Sequence, residues 1–128
     1  MITDVDQGIK ISVTTKYRED YSLPEQNHFL FSYTISIENQ NSFTVKLLRR
    51  HWYIKDVAAE NREVEGEGVI GEQPTLNPGE AHQYESACNL KSEFGSMYGS
   101  YLFKNIETGE FFNVSIPEFK LHVPYALN

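Results

Sequence analysis

Hydrophobic and polar side chains alternate along most of this chain. In the clearest segment, residues 29–37, aromatic and aliphatic side chains occupy every second position, and hydroxyl-bearing residues fill most positions between them. Residues 9–17 repeat the pattern with β-branched side chains. A period of two is typical of a strand with one buried face, because successive side chains of a strand point to opposite sides. The same pattern predicts strands over 43–56, 62–69, 82–90, 98–105 and 111–116, with an edge segment at 119–123 beyond Pro117.

Turn-forming residues separate the predicted strands. They lie at 19–28, 38–42, 71–74, 77–79 and 107–110. Seven or eight short strands, with turns every 8–12 residues or so and no amphipathic helix, predict an all-β antiparallel sandwich of the immunoglobulin or fibronectin-III type. Trp52 on the third predicted strand suits this arrangement. The mixed polarity of that strand's two faces indicates either a bulge or a covered second face. We expect one domain over residues 1–128.

Composition limits the classes of function. The formal net charge is -7, which disfavours nonspecific nucleic-acid binding because such binding needs a cationic surface. With one cysteine, the chain forms no internal disulfide, as is usual in a reducing compartment. No apolar stretch approaches the roughly 20 residues of a membrane helix, and the acidic N-terminus does not resemble a signal peptide. We therefore expect a cytoplasmic protein without membrane or nucleic-acid partners, whose one candidate basic patch is Lys46, Arg49, Arg50 and Lys55.

Three glycines, Gly66, Gly68 and Gly71, match the dinucleotide-binding pattern as a string. That pattern binds pyrophosphate only where a helix opens at its end, and the residues that follow here, 72–74, end in proline. Glu72 would also repel phosphate. We therefore favour a role for the glycines in backbone geometry, where positive φ excludes other residues. A weaker anion-binding nest of consecutive amides remains open.

The sequence offers no clear metal or catalytic set. None of the four histidines is spaced for metal binding with another histidine or with Cys88. Three glutamates at 63, 65 and 67 alternate along one predicted strand, where they either hold a hard cation loosely or form a solvated face, the second being favoured. Ser86 and Cys88 lie near His82, but a strand places these residues in a row rather than around a substrate. We expect no cofactor, no metal and no enzymatic activity.

Residues 49–52 combine two arginines with aromatic side chains. In the favoured interpretation Trp52 is a core residue and Arg50 stacks or pairs at its edge. In the other, Arg49 and Arg50 belong to a positive, aromatic-rimmed patch for an acidic partner or anion. Tyr98 is open to the same two interpretations, as core or as part of an interface.

Several spaced motifs resemble one known family in the same order. They are Arg50-His51-Trp52, the stretch 66–74, Leu76-Asn77-Pro78-Gly79-Glu80, Tyr84-Glu85-Ser86, the stretch 95–101 and the tail 116–121. Together these resemble the ApaG family over nearly the whole chain. Ala87, Lys91-Ser92 and Tyr98 depart from the usual family residues, which affects local turn geometry and any contact made by residue 98.

The resemblance implies a fibronectin-III or immunoglobulin-type sandwich without known catalytic residues. Bacterial members are linked by name to cobalt and magnesium efflux, and related eukaryotic domains look like partner-binding modules. We therefore hypothesise a non-enzymatic module that binds an unknown protein partner through residues 66–74 and a turn at residues 95–99, with an indirect role in cobalt and magnesium homeostasis. The alternative is a small-molecule sensor that binds nucleotide, pyrophosphate or a divalent cation at Gly66–Gly71. Candidate binding residues are Gly66, Gly68, Gly71, Glu72, Arg49, Arg50 and Tyr98.

Overall fold

Nine antiparallel strands build two sheets that pack face to face, in a computed structural model that describes residues 1–127. The strands are β1 (Ile2–Asp6), β2 (Ile9–Tyr17), β3 (Phe29–Asn39), β4 (Val45–Asp56), β5 (Arg62–Glu67), β6 (Thr75–Leu76), β7 (Ala81–Leu90), β8 (Phe94–Asn105) and β9 (Phe111–His122). One sheet has the order β1-β2-β3-β7, and the other has the order β5-β4-β8-β9 with β6 also pairing with β4. The described residues contain no α-helix, and short 3₁₀ turns cover Glu19–Tyr21, Pro24–Gln26 and Pro124–Leu127. The predicted all-β sandwich is confirmed.

The predicted alternation decides which side chains form the core. Ile9, Ile11 and Val13 of β2 lie on the same side of their sheet as the alternate apolar residues of the neighbouring β3, and all of them are buried. Trp52 is only 3% exposed and lies near the centre of the core. Its ring makes edge contacts with Tyr33 at 5.7 Å, Tyr101 at 6.3 Å and Phe119 at 5.8 Å between ring centroids. The interpretation of Trp52 as a core residue is therefore confirmed.

A β-bulge explains the mixed faces of β4. Leu47 pairs with Phe103 and Arg49 pairs with the next residue, Leu102, so that Leu48 is an extra residue in β4. Before the bulge, Leu47 points into the core; after it, Arg50 and the alternate residues that follow it point inward. The predicted bulge is confirmed, and it decides that Arg50 faces inward while Arg49 faces solvent.

A second bulge lets β9 continue past Pro117. Met97 pairs with Phe119 and Gly99 pairs with Ile116, so that one residue of β8 lies opposite two residues of β9. Proline cannot donate a backbone hydrogen bond, and edge strands and bulges tolerate it for this reason. The strand predicted over 111–116 and the edge segment at 119–123 are thus one strand.

Three other details differ from the sequence prediction. Residues 95–99 were expected to form a turn, but they lie in β8 and pair with β4, because β8 begins at Phe94. The short strands β1 and β6 were not predicted. Nine strands therefore replace the expected seven or eight.

The two lateral sides of the sandwich are different. On one side, β1 and β9 come together, and the Ser115 amide donates to the Asp6 carboxylate at 2.8 Å. On the other side, β5 and β7 border an open cleft of about 250 Å³ between the sheets. The candidate site lies on this open side.

Candidate functional site

A tight turn at residues 69–72 follows β5. The Val69 amide donates to the Glu72 carbonyl at 2.8 Å, and the Glu72 amide donates back to Val69 at 3.0 Å. Both residues between them have positive φ, 47° for Ile70 and 74° for Gly71, as in the two-residue turns of β-hairpins. The Val69 side chain is 1% exposed and anchors the turn in the core, whereas the Ile70 side chain is 61% exposed.

Arg50 holds the start of this turn in place. Its Nη1 atom donates to the carbonyls of Glu67 at 2.8 Å and Gly68 at 3.1 Å. Gly66 leaves space for the guanidinium, because a Cβ at residue 66 would lie 2.8 Å from the two terminal nitrogens of Arg50. The inward direction of Arg50, which the bulge at Leu48 produces, therefore explains why residue 66 lacks a side chain.

Gly68 is required by both backbone angle and space. Its φ is 58°, and a Cβ there would lie 2.0 Å from the Glu72 carbonyl oxygen. The amides of Gly68, Val69 and Glu72 donate to backbone carbonyls of Leu48 and of the turn itself. No helix follows the glycines in the described chain, so the structural context of a dinucleotide-binding motif is missing, as the sequence predicted.

The open cleft lies between the inner faces of β4, β5 and β7. Its lining includes Tyr33, Arg50, Trp52, Arg62, Val64 and Ser86. Arg62 spans the two sheets, because its Nη2 atom donates to the Asn89 carbonyl of β7 at 2.5 Å. In the described residues neither Arg50 nor Arg62 forms an ion pair with a carboxylate.

Tyrosine hydroxyls lie behind the cleft. Tyr84 and Tyr101 share a hydrogen bond between their hydroxyl groups. Burial raises the pKa of both, that of Tyr101 well above the usual value. Burial also raises the pKa of Tyr33, and a hydrogen bond to Ser86 opposes this effect. These tyrosines are therefore uncharged polar groups at neutral pH.

The outer face of the β4–β8 sheet has a separate row of rings. His51 stacks on Tyr53 at 4.6 Å, and Tyr53 stacks on Tyr98 at 5.1 Å between centroids. The two imidazole nitrogens of His51 face different carboxylates, with Nε2 3.1 Å from Glu63 and Nδ1 2.9 Å from Glu65. Sequence spacing placed Glu63 and Glu65 on one face, but it did not include His51, because that contact depends on the pairing of His51 with Glu65 across two strands.

The predicted site residues therefore lie in three places. Gly71 and Glu72 belong to the turn, Gly68 directly precedes it, and Gly66 and Arg50 lie at its base on the inner face. Arg49 and Tyr98 lie on the outer face, with Arg49 opposite Glu67 and Tyr98 opposite Tyr53. The expected basic patch is divided in the same way, since Arg50 points inward while Lys55 pairs with Glu118 at 3.2 Å. Sequence reasoning missed Ile70 and Arg62; the missed signal at position 70 was a β-branched residue before Gly71.

Fold and sequence comparisons agree on the class of protein. An ApaG domain model matches residues 19–105. Protein ApaG of Pseudomonas aeruginosa is 43% identical over 127 residues, which cover 99% of this chain and 100% of the relative. Protein ApaG of Mesorhizobium japonicum is 43% identical over 124 residues, covering 97% and 95%. The crystal structure of an ApaA protein from Bordetella pertussis superposes with a TM-score of 0.87 at 38% identity, covering 95% of both chains.

The chain thus has an immunoglobulin-like β-sandwich fold, and it belongs to the ApaG domain family. Among the described residues, no helix has the length and apolar character needed to cross a membrane.

Proposed function

We propose that this ApaG domain is a non-enzymatic cytosolic module that binds another protein through the turn at residues 69–72. The observation that carries the proposal is Ile70, a large apolar side chain that is 61% exposed at the tip of a rigidly held turn. A side chain in this position contributes little to the core. It is well placed to enter an apolar pocket of a partner, where a few buried anchors usually supply most of the binding energy.

The backbone of Ile70 strengthens this argument. Its φ of 47° lies in the left-handed region, which costs an L-residue about 1–2 kcal/mol and is unusual for a β-branched residue. Asn or Gly at residue 70 would relieve the strain, because both are common at this position of such turns. An exposed residue that lowers stability is consistent with a role in recognition, since backbone strain concentrates at functional sites.

The potential nucleophile near the cleft also supports a non-enzymatic role. Cys88 is buried, and burial raises the pKa of its thiol, although nearby Arg62 opposes this effect. The thiol therefore stays protonated at neutral pH, whereas a catalytic cysteine needs a thiolate.

The small-molecule sensor ranks second. Three amides near the glycines already donate to carbonyls, and Glu72 adds a negative charge to the turn. An anion would meet few free donors there. An indirect role in cobalt and magnesium homeostasis, which the family resemblance suggests, would follow from the identity of the protein partner.

The test uses Ile70→Asn with Ile106→Asn as the matched control. Ile106 is 44% exposed elsewhere on the molecule, so the control also replaces an exposed isoleucine. Crosslinked affinity purification with the unmodified protein and the Ile106→Asn variant should recover the same partner, and Ile70→Asn should lose it. Ile70→Asn should also raise the free energy of unfolding by about 1 kcal/mol in chemical denaturation. Recovery of the same partner by the Ile70→Asn variant, or no specific partner for the unmodified protein, contradicts the proposal.

A further inference from the structure

The free edge of β5 has an ordered pattern of charges. In the described residues β5 pairs only with β4, and no strand covers its other edge. Arg62, Val64 and Gly66 are paired with inward-facing residues of β4 and share the inner face. Glu63 and Glu65 point to the outer face, where their side chains are 58% and 53% exposed. The inner face of this edge is therefore basic and apolar, and the outer face is acidic.

Arg50 provides the second positive group on the inner face. It lies behind Gly66, where the missing Cβ leaves space for the guanidinium, and it lines the open cleft beside β5. Arg50 donates through Nη1 to two carbonyls, and Arg62 donates through Nη2. Since a guanidinium has five N–H donors, both groups keep donors for a further acceptor. Arg62 and Gly66 are four residues apart, which corresponds to about 13 Å along a strand.

Val64 supplies an apolar position between the two arginines. It lines the cleft together with Trp52 and Ile54, and it is 41% exposed although it faces the inside of the sandwich. Its exposure results from the open edge, because no neighbouring strand contributes a side chain beside it. At intervals of two residues, the inner face of this edge thus presents Arg62, Val64 and Gly66, with the Arg50 guanidinium of β4 behind Gly66.

We propose that β5 accepts an extended segment of the partner protein as an additional strand. This inference rests on the proposed protein-binding function and specifies the chemistry of the partner. The segment has acidic residues at its first and fifth positions, facing Arg62 and Arg50, and an apolar residue at its third position, facing Val64. Its second and fourth positions are basic and face Glu63 and Glu65. Strand addition to a free sheet edge is a common mode of peptide recognition, in which alternate side chains determine specificity.

The same charges disfavour a second copy of this chain as the occupant. Two β5 strands paired antiparallel about Val64 would place Glu63 of one copy opposite Glu65 of the other, and like charges directly opposite each other are destabilising. The other edge strand beside the cleft, β7, has fewer charges than β5 with which to select a partner strand. Its outward side chains are Ala81, Gln83, Glu85, Ala87 and Asn89, and only one of these is charged.

Two capped peptides of identical composition test the inference. The matched peptide contains Glu-Lys-Leu-Lys-Glu between glycines, and the control contains Lys-Glu-Leu-Glu-Lys. Both orders are palindromic, so the result is independent of strand direction. In NMR titrations we expect the matched peptide to bind at least tenfold more tightly and to shift the amides of residues 62–67. Equal affinities, no binding of the matched peptide at millimolar concentration, or shifts confined to β7 would overturn the inference.

Two variants locate the interaction. Arg62→Glu should lower the affinity for the matched peptide at least tenfold. Lys16→Glu makes an equal charge change at an exposed position of β2 and should leave this affinity unchanged. Gly66→Ala should also weaken binding, since its methyl group displaces or covers the Arg50 guanidinium. Thermal unfolding establishes that each variant is folded, and the two variants test the edge independently. If peptide binding fails while partner capture still depends on Ile70, the strand-addition inference is wrong and the proposed function stands.

Discussion

Gly68 and Gly71 place different demands on the same turn. Both have positive φ, but a Cβ at residue 68 would lie 2.0 Å from the Glu72 carbonyl oxygen, whereas nothing lies within 4 Å of a Cβ at residue 71. We predict that Gly68→Ala lowers the free energy of unfolding by about 2–4 kcal/mol, from overpacking and backbone strain together. Gly71→Ala, which adds only the strain, should cost about 1 kcal/mol.

Urea denaturation of the two alanine variants measures this difference. The prediction fails if both variants lose the same stability. At the same scale, the positive φ predicted for the glycines is found at Gly68 and Gly71 but not at Gly66. The sequence could not show why Gly66 is needed, because its φ is not positive and its only steric conflict is with Arg50, sixteen residues earlier in the chain.

At the scale of elements, Trp52 joins the two sheets. It lies on β4 and packs against rings from β3, β8 and β9. We predict that Trp52→Ala costs about 3–5 kcal/mol, because it removes a large buried ring and leaves a cavity. Tyr53→Ala is the matched control on the next residue; it loses mainly outer-face stacking and should cost about 1 kcal/mol. Equilibrium denaturation measures the free energy of unfolding of both variants. If the Trp52 variant loses no more stability than the Tyr53 control, Trp52 does not join the two sheets as described.

Strands with a clear alternation of side-chain types could be predicted from the sequence, whereas the exposed β1 and the two-residue β6 could not. The alternating apolar residues of β2 and β3 gave a clear period of two. In β1, by contrast, residues 2–5 are exposed, so pairing with β2 leaves no hydrophobic pattern. In β6 only two residues pair with β4, which is too short to show any period. The Pro117 bulge interrupted the pattern of β9 and made one strand look like two.

At the scale of the whole molecule, the candidate site results from the unequal sides of the sandwich. The residues at 66–72 could be singled out from the sequence because three glycines are close together there. The cleft could not be predicted from the sequence. Arg50 and Arg62 reach the same open side of the sandwich only through the Leu48 bulge and the pairing of β4 with β5. The arrangement of charges at this edge therefore depends on strand pairing that no local motif records.

The buried tyrosines make the stability of the whole molecule sensitive to alkaline pH. Burial raises the pKa of Tyr84 and Tyr101 in the folded state above the value of about 10 expected in the unfolded chain. Below pH 10 or so both states keep these protons, so the two groups contribute no pH dependence. Above that pH the unfolded chain loses the protons first, and the free energy of unfolding must fall by up to about 1.4 kcal/mol per pH unit for each such tyrosine.

We therefore predict that stability decreases steeply between about pH 10 and 12, beyond the range where carboxylates and histidines titrate. The double variant Tyr84→Phe/Tyr101→Phe removes both hydroxyl groups of the buried pair together, so neither partner is left unsatisfied. The free energy of unfolding of the double variant should decrease less steeply with pH over the same range. Below about pH 9, its slope against pH should equal that of the unmodified protein. Urea denaturation at a series of pH values measures both slopes. Equal slopes above pH 10 would show that the two hydroxyl groups do not stay protonated in the folded protein.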